Sequence, residues 1–122
     1  MIPGDRYTCD TPDSEGKTPM DSKRRLARVV CADLSEIGDE ELSSIARQVM
    51  EKQIKDITDA LDEVIKRYGI NIIVACGIGE FLAERAAKEA GAQIVLISRE
   101  YGTEISKVFP AYAVAQLLNE KA

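Results

Sequence analysis

Apolar residues follow three regimes along this chain, and each predicts a different kind of structure. Up to Met20 there is no apolar period. Pro3, Pro12 and Pro19 alternate with Gly4, Gly16 and several Asp and Thr residues, so turn chemistry dominates, with at most a short extended piece over Arg6 to Cys9. From residue 21 the pattern becomes helical. Asp21 or Ser22 is placed to cap a helix carrying Leu26, Val29 and Val30 and ending near Ala32 or Asp33. Asp39 predicts a second N-cap, with Glu40 and Glu41 set favourably against the first-turn dipole. Behind it Leu42, Ile45, Ala46, Val49, Ile54, Ile57, Leu61, Val64, Ile65 and Tyr68 recur at helical steps, one apolar stripe on a long helix that Gly69 closes.

Beyond Gly69 the pattern alternates between strand and helix. Ile70 to Cys76 is a continuous β-branched run, the pattern of a strand buried on both faces. Gly77, Ile78 and Gly79 make a tight turn, Phe81 to Ala90 an Ala-rich helix stopped by Gly91, and Gln93 to Ile97 a second buried strand. Pro110 suits the first turn of a last helix, Ala111 to Leu118. A right-handed crossover makes the two strands parallel neighbours. Ile72, Val74, Val95 and Ile97 then need more cover than three helices and a loop supply, because a lone parallel pair is not a self-sufficient sheet. The expectation is a Gly/Pro-rich loop segment over residues 1–20 and an α/β subdomain over residues 21–122. Either it is part of a larger enzyme whose N-terminal half is missing, or it forms a homo-oligomer.

Composition narrows the chemistry. With 122 residues and 45% hydrophobic content, one small domain is affordable, and its core must come from Ile, Val, Leu and Ala because aromatics are 5% and Trp is absent. A net charge of -5 argues against a nucleic-acid partner. The absence of His removes Ser/His/Asp and Cys/His nucleophile systems and His-containing zinc sites, and three cysteines are too few for a four-Cys site. An odd Cys count without C-x-x-C predicts reduced thiols and a cytoplasmic location, with Cys31 and Cys76 as buried fillers and Cys9 exposed in a loop. No apolar segment approaches the roughly 20 residues of a membrane span.

Candidate binding residues fall in three places. Gly77 and Gly79 end a strand where a ligand can approach the backbone near unpaired helix N–H groups, although the same glycines can simply permit a turn. Glu80 follows them, either stabilised by the helix dipole alone or bonded to a ribose or an amine. Asp5, Asp10 and Asp13 with Lys17 suit a metal–diphosphate, or equally solvated turns. Arg25 and Arg28 share a helix face, beside Lys23 and Arg24, and suit either an anionic substrate or a solvated basic face. Tyr101 and Gly102 lie where parallel sheets collect ligands, and Tyr112 is expected to pack.

Four segments then carry a family resemblance: GDRYTCDTPDSEGKT from Gly4, RRLARVVCADL from Arg24, CGIGEFLAERAA from Cys76 and PAYAVAQLL from Pro110. Together they resemble the archaeal hydantoinase/oxoprolinase-like proteins of the tetrahydromethanopterin-linked one-carbon pathway, the methanofuran-biosynthesis synthase group, within the actin/Hsp70/sugar-kinase superfamily. The resemblance implies a ribonuclease-H-like, actin-like ATPase subdomain. It also implies a transferase that joins an aminomethylfuran diphosphate to γ-glutamyltyramine and releases diphosphate, with Mg²⁺ helping to neutralise it. Members begin with a strand bearing an Asp-x-Gly phosphate loop, which does not occur here, so the expectation is a C-terminal portion, inactive alone. An ATP-binding kinase or hydrolase of the same superfamily is the second reading, and a non-catalytic interaction module or partner subunit the third.

Overall fold

The computed structural model describes residues 9–120, so Asp5 and most of the extended piece expected at Arg6 to Cys9 lie outside the described residues. The described residues divide into two compact units on either side of the Glu51–Lys52 bond, which falls inside a helix.

In the first unit, α1 spans Pro19–Val29. Its N-cap is Thr18 rather than Asp21 or Ser22. The Thr18 hydroxyl accepts from the Asp21 amide at 3.2 Å, while the Asp21 carboxylate accepts from the Thr18 amide at 3.0 Å. This reciprocal box fills two helix-start donors at once, with Pro19 inside the start where no N–H is needed. Helix α2 spans Asp39–Tyr68, about 45 Å of rise. Asp39 is its first helical residue, so the capping position belongs to Gly38, whose carbonyl accepts from Leu42 at 3.0 Å and whose amide donates to the Glu41 carboxylate at 2.9 Å. Leu42 is buried at the α2 start in the first unit and Ile54 further along in the second, but Val49, Val64 and Tyr68 of the same stripe are exposed. Gly69 ends the helix in the left-handed region at φ +65°, its amide bonded to the Ile65 carbonyl at 2.8 Å.

The second unit has mixed α/β character. Strand β1 (Ile72–Ala75) and β2 (Gln93–Leu96) form a parallel pair in which Val74 partners Val95 and Ala75 partners Leu96. Helix α3 (Glu80–Glu89) connects and packs on both. Alternation sends Ile73, Ala75, Ile94 and Leu96 to the covered face, and the small Ala86 and Ala87 of α3, fully buried, permit close helix–sheet approach. Ile72, Val74 and Val95 point the other way and are exposed, Val74 by 60%. The double-sided burial expected of these strands is therefore absent among the described residues, because only one layer of helix covers the sheet. Ile97, by contrast, is buried, at the start of a helix rather than in a strand.

After β2 come two short helices, α4 (Ile97–Tyr101) and α5 (Thr103–Lys107), with Gly102 at φ +88° bending the chain between them. Helix α6 (Phe109–Asn119) follows, with Pro110 in its first turn. No helix of the described residues is long and apolar enough to cross a membrane.

Candidate functional site

The residues singled out above form two separate clusters, one in each unit. In the first unit the turn before α1 is built by its own polar atoms. The Ser14 amide bonds to the Thr11 carbonyl at 2.9 Å, the Thr11 hydroxyl donates to the Glu15 carbonyl at 2.7 Å, and Ser14 sits at φ +56°. This turn aims Asp13 at α1. Arg25 Nη1 lies 3.2 Å from Asp13 Oδ1 and also donates to the Gly16 carbonyl at 3.0 Å, while Arg28 Nη1 is 3.7 Å from Asp13 Oδ2. The three-residue spacing does put both arginines on one face, and what they share is Asp13. Burial pushes the Asp13 carboxyl up, but the Glu15 amide, Thr11 and the Arg25 guanidinium outweigh it and hold it below its ordinary value. Its Oδ2 is buried with no hydrogen-bond partner among the described residues. Asp10 is exposed and Lys17 half-buried, and neither forms an ion pair among the described residues.

In the second unit the centre is the turn from β1 into α3. Gly77 has φ +90°, a conformation that disfavours any other residue, and a Cβ added at Gly77 or Gly79 would meet nothing within 4 Å. Both glycines therefore present bare backbone to open space. The underside is locked. The Gly77 amide donates to Ser106 Oγ at 2.8 Å, the Ser106 hydroxyl donates to Glu80 Oε1, and the Ser98 amide donates to the same oxygen at 3.0 Å. Glu80, only 7% exposed, is thus held by the starts of α4 and by α5. Burial pushes its carboxyl up, yet the bonds from Ser106 and Ser98 and the charge of Arg99 outweigh this and leave its pKa lowered.

The geometry brings Gly77, Gly79 and Glu80 together, and separately Asp13, Arg25 and Arg28. Sequence reasoning missed Ser98 and Ser106, which complete the second cluster. The available signal was only a pair of serines after β2 in a polar stretch, which no spacing rule connects to Gly77. Cys31 and Cys76 are exposed, not buried fillers. Cys31 occupies a left-handed position (φ +58°) just past α1, and Cys76 lies beyond the last β1 residue, so neither belongs to the packed face. Cys9 is exposed, as expected of a loop residue. No group of three His, Cys, Asp or Glu side chains among the described residues can hold a metal ion. A shallow groove lined by Val30, Ile37, Glu41 and Ile45 in the first unit contains none of the candidate residues.

The sequence model of the Hydantoinase/oxoprolinase family matches residues 1–121. A relative from Methanocaldococcus jannaschii, (4-{4-[2-(gamma-L-glutamylamino)ethyl]phenoxymethyl}furan-2-yl)methanamine synthase, is 38% identical across 94% of this chain. The protein of the same name from Methanococcus vannielii is 31% identical, again across 94% of this chain. This chain spans 34% of the first relative's length and 54% of the second's.

Proposed function

Because this chain belongs to the hydantoinase/oxoprolinase family, we propose that it is the C-terminal α/β part of a methanofuran-biosynthesis synthase, of ribonuclease-H-like, actin-like subdomain type. The observation that carries this is the 38% identity to the M. jannaschii synthase along 94% of the chain. That relative's name describes a furan-methanamine joined through a methylene to a phenoxy group, so the bond to be made is an aryl ether. In our reading the phenol oxygen of γ-glutamyltyramine attacks the methylene carbon of an aminomethylfuran diphosphate. The ether C–O bond forms, the carbon–diphosphate C–O bond breaks, diphosphate leaves with the bonding pair, and the phenol proton passes to a base.

Within this scheme Arg25 and Arg28 hold the diphosphate, aided by Lys17, because guanidinium groups match phosphate oxygens bidentately. Asp13 is their counterion when no ligand is bound. In the second unit the uncovered backbone of Gly77 and Gly79 is open to a ligand, with Glu80 beneath it. A protein-held Mg²⁺ does not fit the described residues. The one carboxylate oxygen that is buried without a bonded partner, Asp13 Oδ2, faces Arg28, so a cation would travel on the diphosphate with Asp10 at most assisting. We read the bare face of Ile72, Val74 and Val95 as covered in the intact cytoplasmic enzyme by polypeptide beyond these 122 residues, in keeping with the greater length of the relatives.

The test is an assay of the full-length gene product with aminomethylfuran diphosphate and γ-glutamyltyramine. Release of diphosphate together with an ether product of the right mass is expected. Tight calorimetric binding of ATP with no binding of the furan diphosphate would overturn the proposal.

A further inference from the structure

The chain holds four Tyr and two Phe, and three of these six rings gather at one spot. Tyr101, the last residue of α4, lies 5.9 Å from Phe109 and 5.8 Å from Tyr112 between ring centroids, and Phe109 and Tyr112 are 6.3 Å apart. Such separations are those of interacting rings. A packing cluster would be buried, but none of the three is, and Tyr101 is 49% exposed. The cluster also follows directly on the carboxyl end of β2, the end at which parallel sheets bind ligands.

The arc that carries Tyr101 is fixed to the glycine turn. Ser98 and Ser106, at either end of it, both donate to Glu80 Oε1, and Ser106 accepts from Gly77. Tyr101 stands one helical turn beyond Ser98 and Phe109 three residues beyond Ser106. The arc that carries Tyr101 is thereby tied at both ends to the turn that holds Gly77 and Glu80. Its cations are already matched: Arg99 pairs with Glu84 at 3.0 Å and Lys107 with Glu104 at 2.7 Å, so neither basic side chain of this arc is left to meet an anion. A surface without a spare cation suits a neutral ring better than a diphosphate.

We propose that Tyr101, Phe109 and Tyr112 form a stacking platform for the neutral phenol ring of the acceptor substrate, beside the Gly77–Gly79 turn. This rests on the synthase reading above, which supplies an acceptor with a phenol. Stacking on exposed rings orients a planar ligand at small entropic cost, since the rings are already held together.

The experiment is an NMR titration of the isotope-labelled full-length protein with γ-glutamyltyramine, with adenosine as the comparison ligand. The Tyr101, Phe109 and Tyr112 ring signals are expected to shift with γ-glutamyltyramine and much less with adenosine. Y101F should bind as the parent does, while Y101L should bind roughly tenfold more weakly. Retention of the Gly77 amide shift, set by Ser106, reports that Y101L is folded. Ring signals unmoved by γ-glutamyltyramine, or moved as far by adenosine, overturn the platform. The intact-enzyme assay separates the two readings: activity with silent rings removes the platform and leaves the synthase, and responsive rings without activity do the reverse.

Discussion

Glu80 in the second unit and Asp13 in the first are both carboxylates whose pKa neutral donors draw below its ordinary value, yet only Asp13 is also ion-paired with arginines. Glu80 is held by neutral donors, a serine hydroxyl and a backbone amide, inside packed structure. Asp13 accepts from the Glu15 amide but also pairs with Arg25 and Arg28, and keeps one oxygen without a bonded partner among the described residues. Neutral donors fixed by the fold cannot be recruited elsewhere without loosening it, whereas cations on a helix face can exchange one anion for another. The first arrangement builds shape. In our proposal the second binds the ligand.

The sharpest way to break this contrast is to remove Glu80. Glu80→Leu strands the Ser98 amide and the Ser106 hydroxyl in a buried site and should cost about 2–4 kcal/mol in a urea denaturation. A loss under about 0.5 kcal/mol would mean that water replaces the carboxylate freely. Ser106→Ala removes the link between Gly77 and Glu80 while leaving the Ser98 bond, so about 1–2 kcal/mol is expected. Combined with Glu80→Leu, it should show clear non-additivity, and strictly additive losses would argue that the relay is no unit.

Acid sharpens the comparison further. Glu80 titrates near 4.5 when unfolded and lower when folded, so its contribution is complete above that pH and disappears as the pH falls through the folded value. The stability gap between the parent and Glu80→Gln should therefore narrow in acid, and a gap independent of pH excludes the ionised carboxylate as its source. The smallest effect on stability belongs to Asp13→Ala, but here binding moves the other way. Freed of their counterion, Arg25 and Arg28 should take inorganic diphosphate about threefold more tightly by calorimetry. Weaker binding would make Asp13 itself part of the ligand contact.

Local signals were legible where one residue type dictates one conformation. Gly69 and Gly91 end helices at positive φ, Pro110 opens α6, and the β-branched runs form the parallel pair. What stayed hidden depended on context. Helices α4 and α5 are five residues each, too short for an apolar period to emerge, and Gly102 between them reads as a loop. Thr18 gives a weak cap signal because its box closes with Asp21 instead of the commoner Glu or Gln. In the site, Gly77, Gly79 and Glu80 are contiguous and so announce themselves. Ser106 carries no such mark, since its role depends only on where the chain returns.

That return has a cost in time. Gly77 waits for an acceptor 29 positions later, so during synthesis on the ribosome, at about 5–20 residues per second, α3 emerges before the hydroxyl that closes its entrance. A chain that ends ahead of Ser106 carries that entrance without its Oγ acceptor. The bend is therefore fastened only after β2 has emerged, because its acceptor follows that strand in the chain.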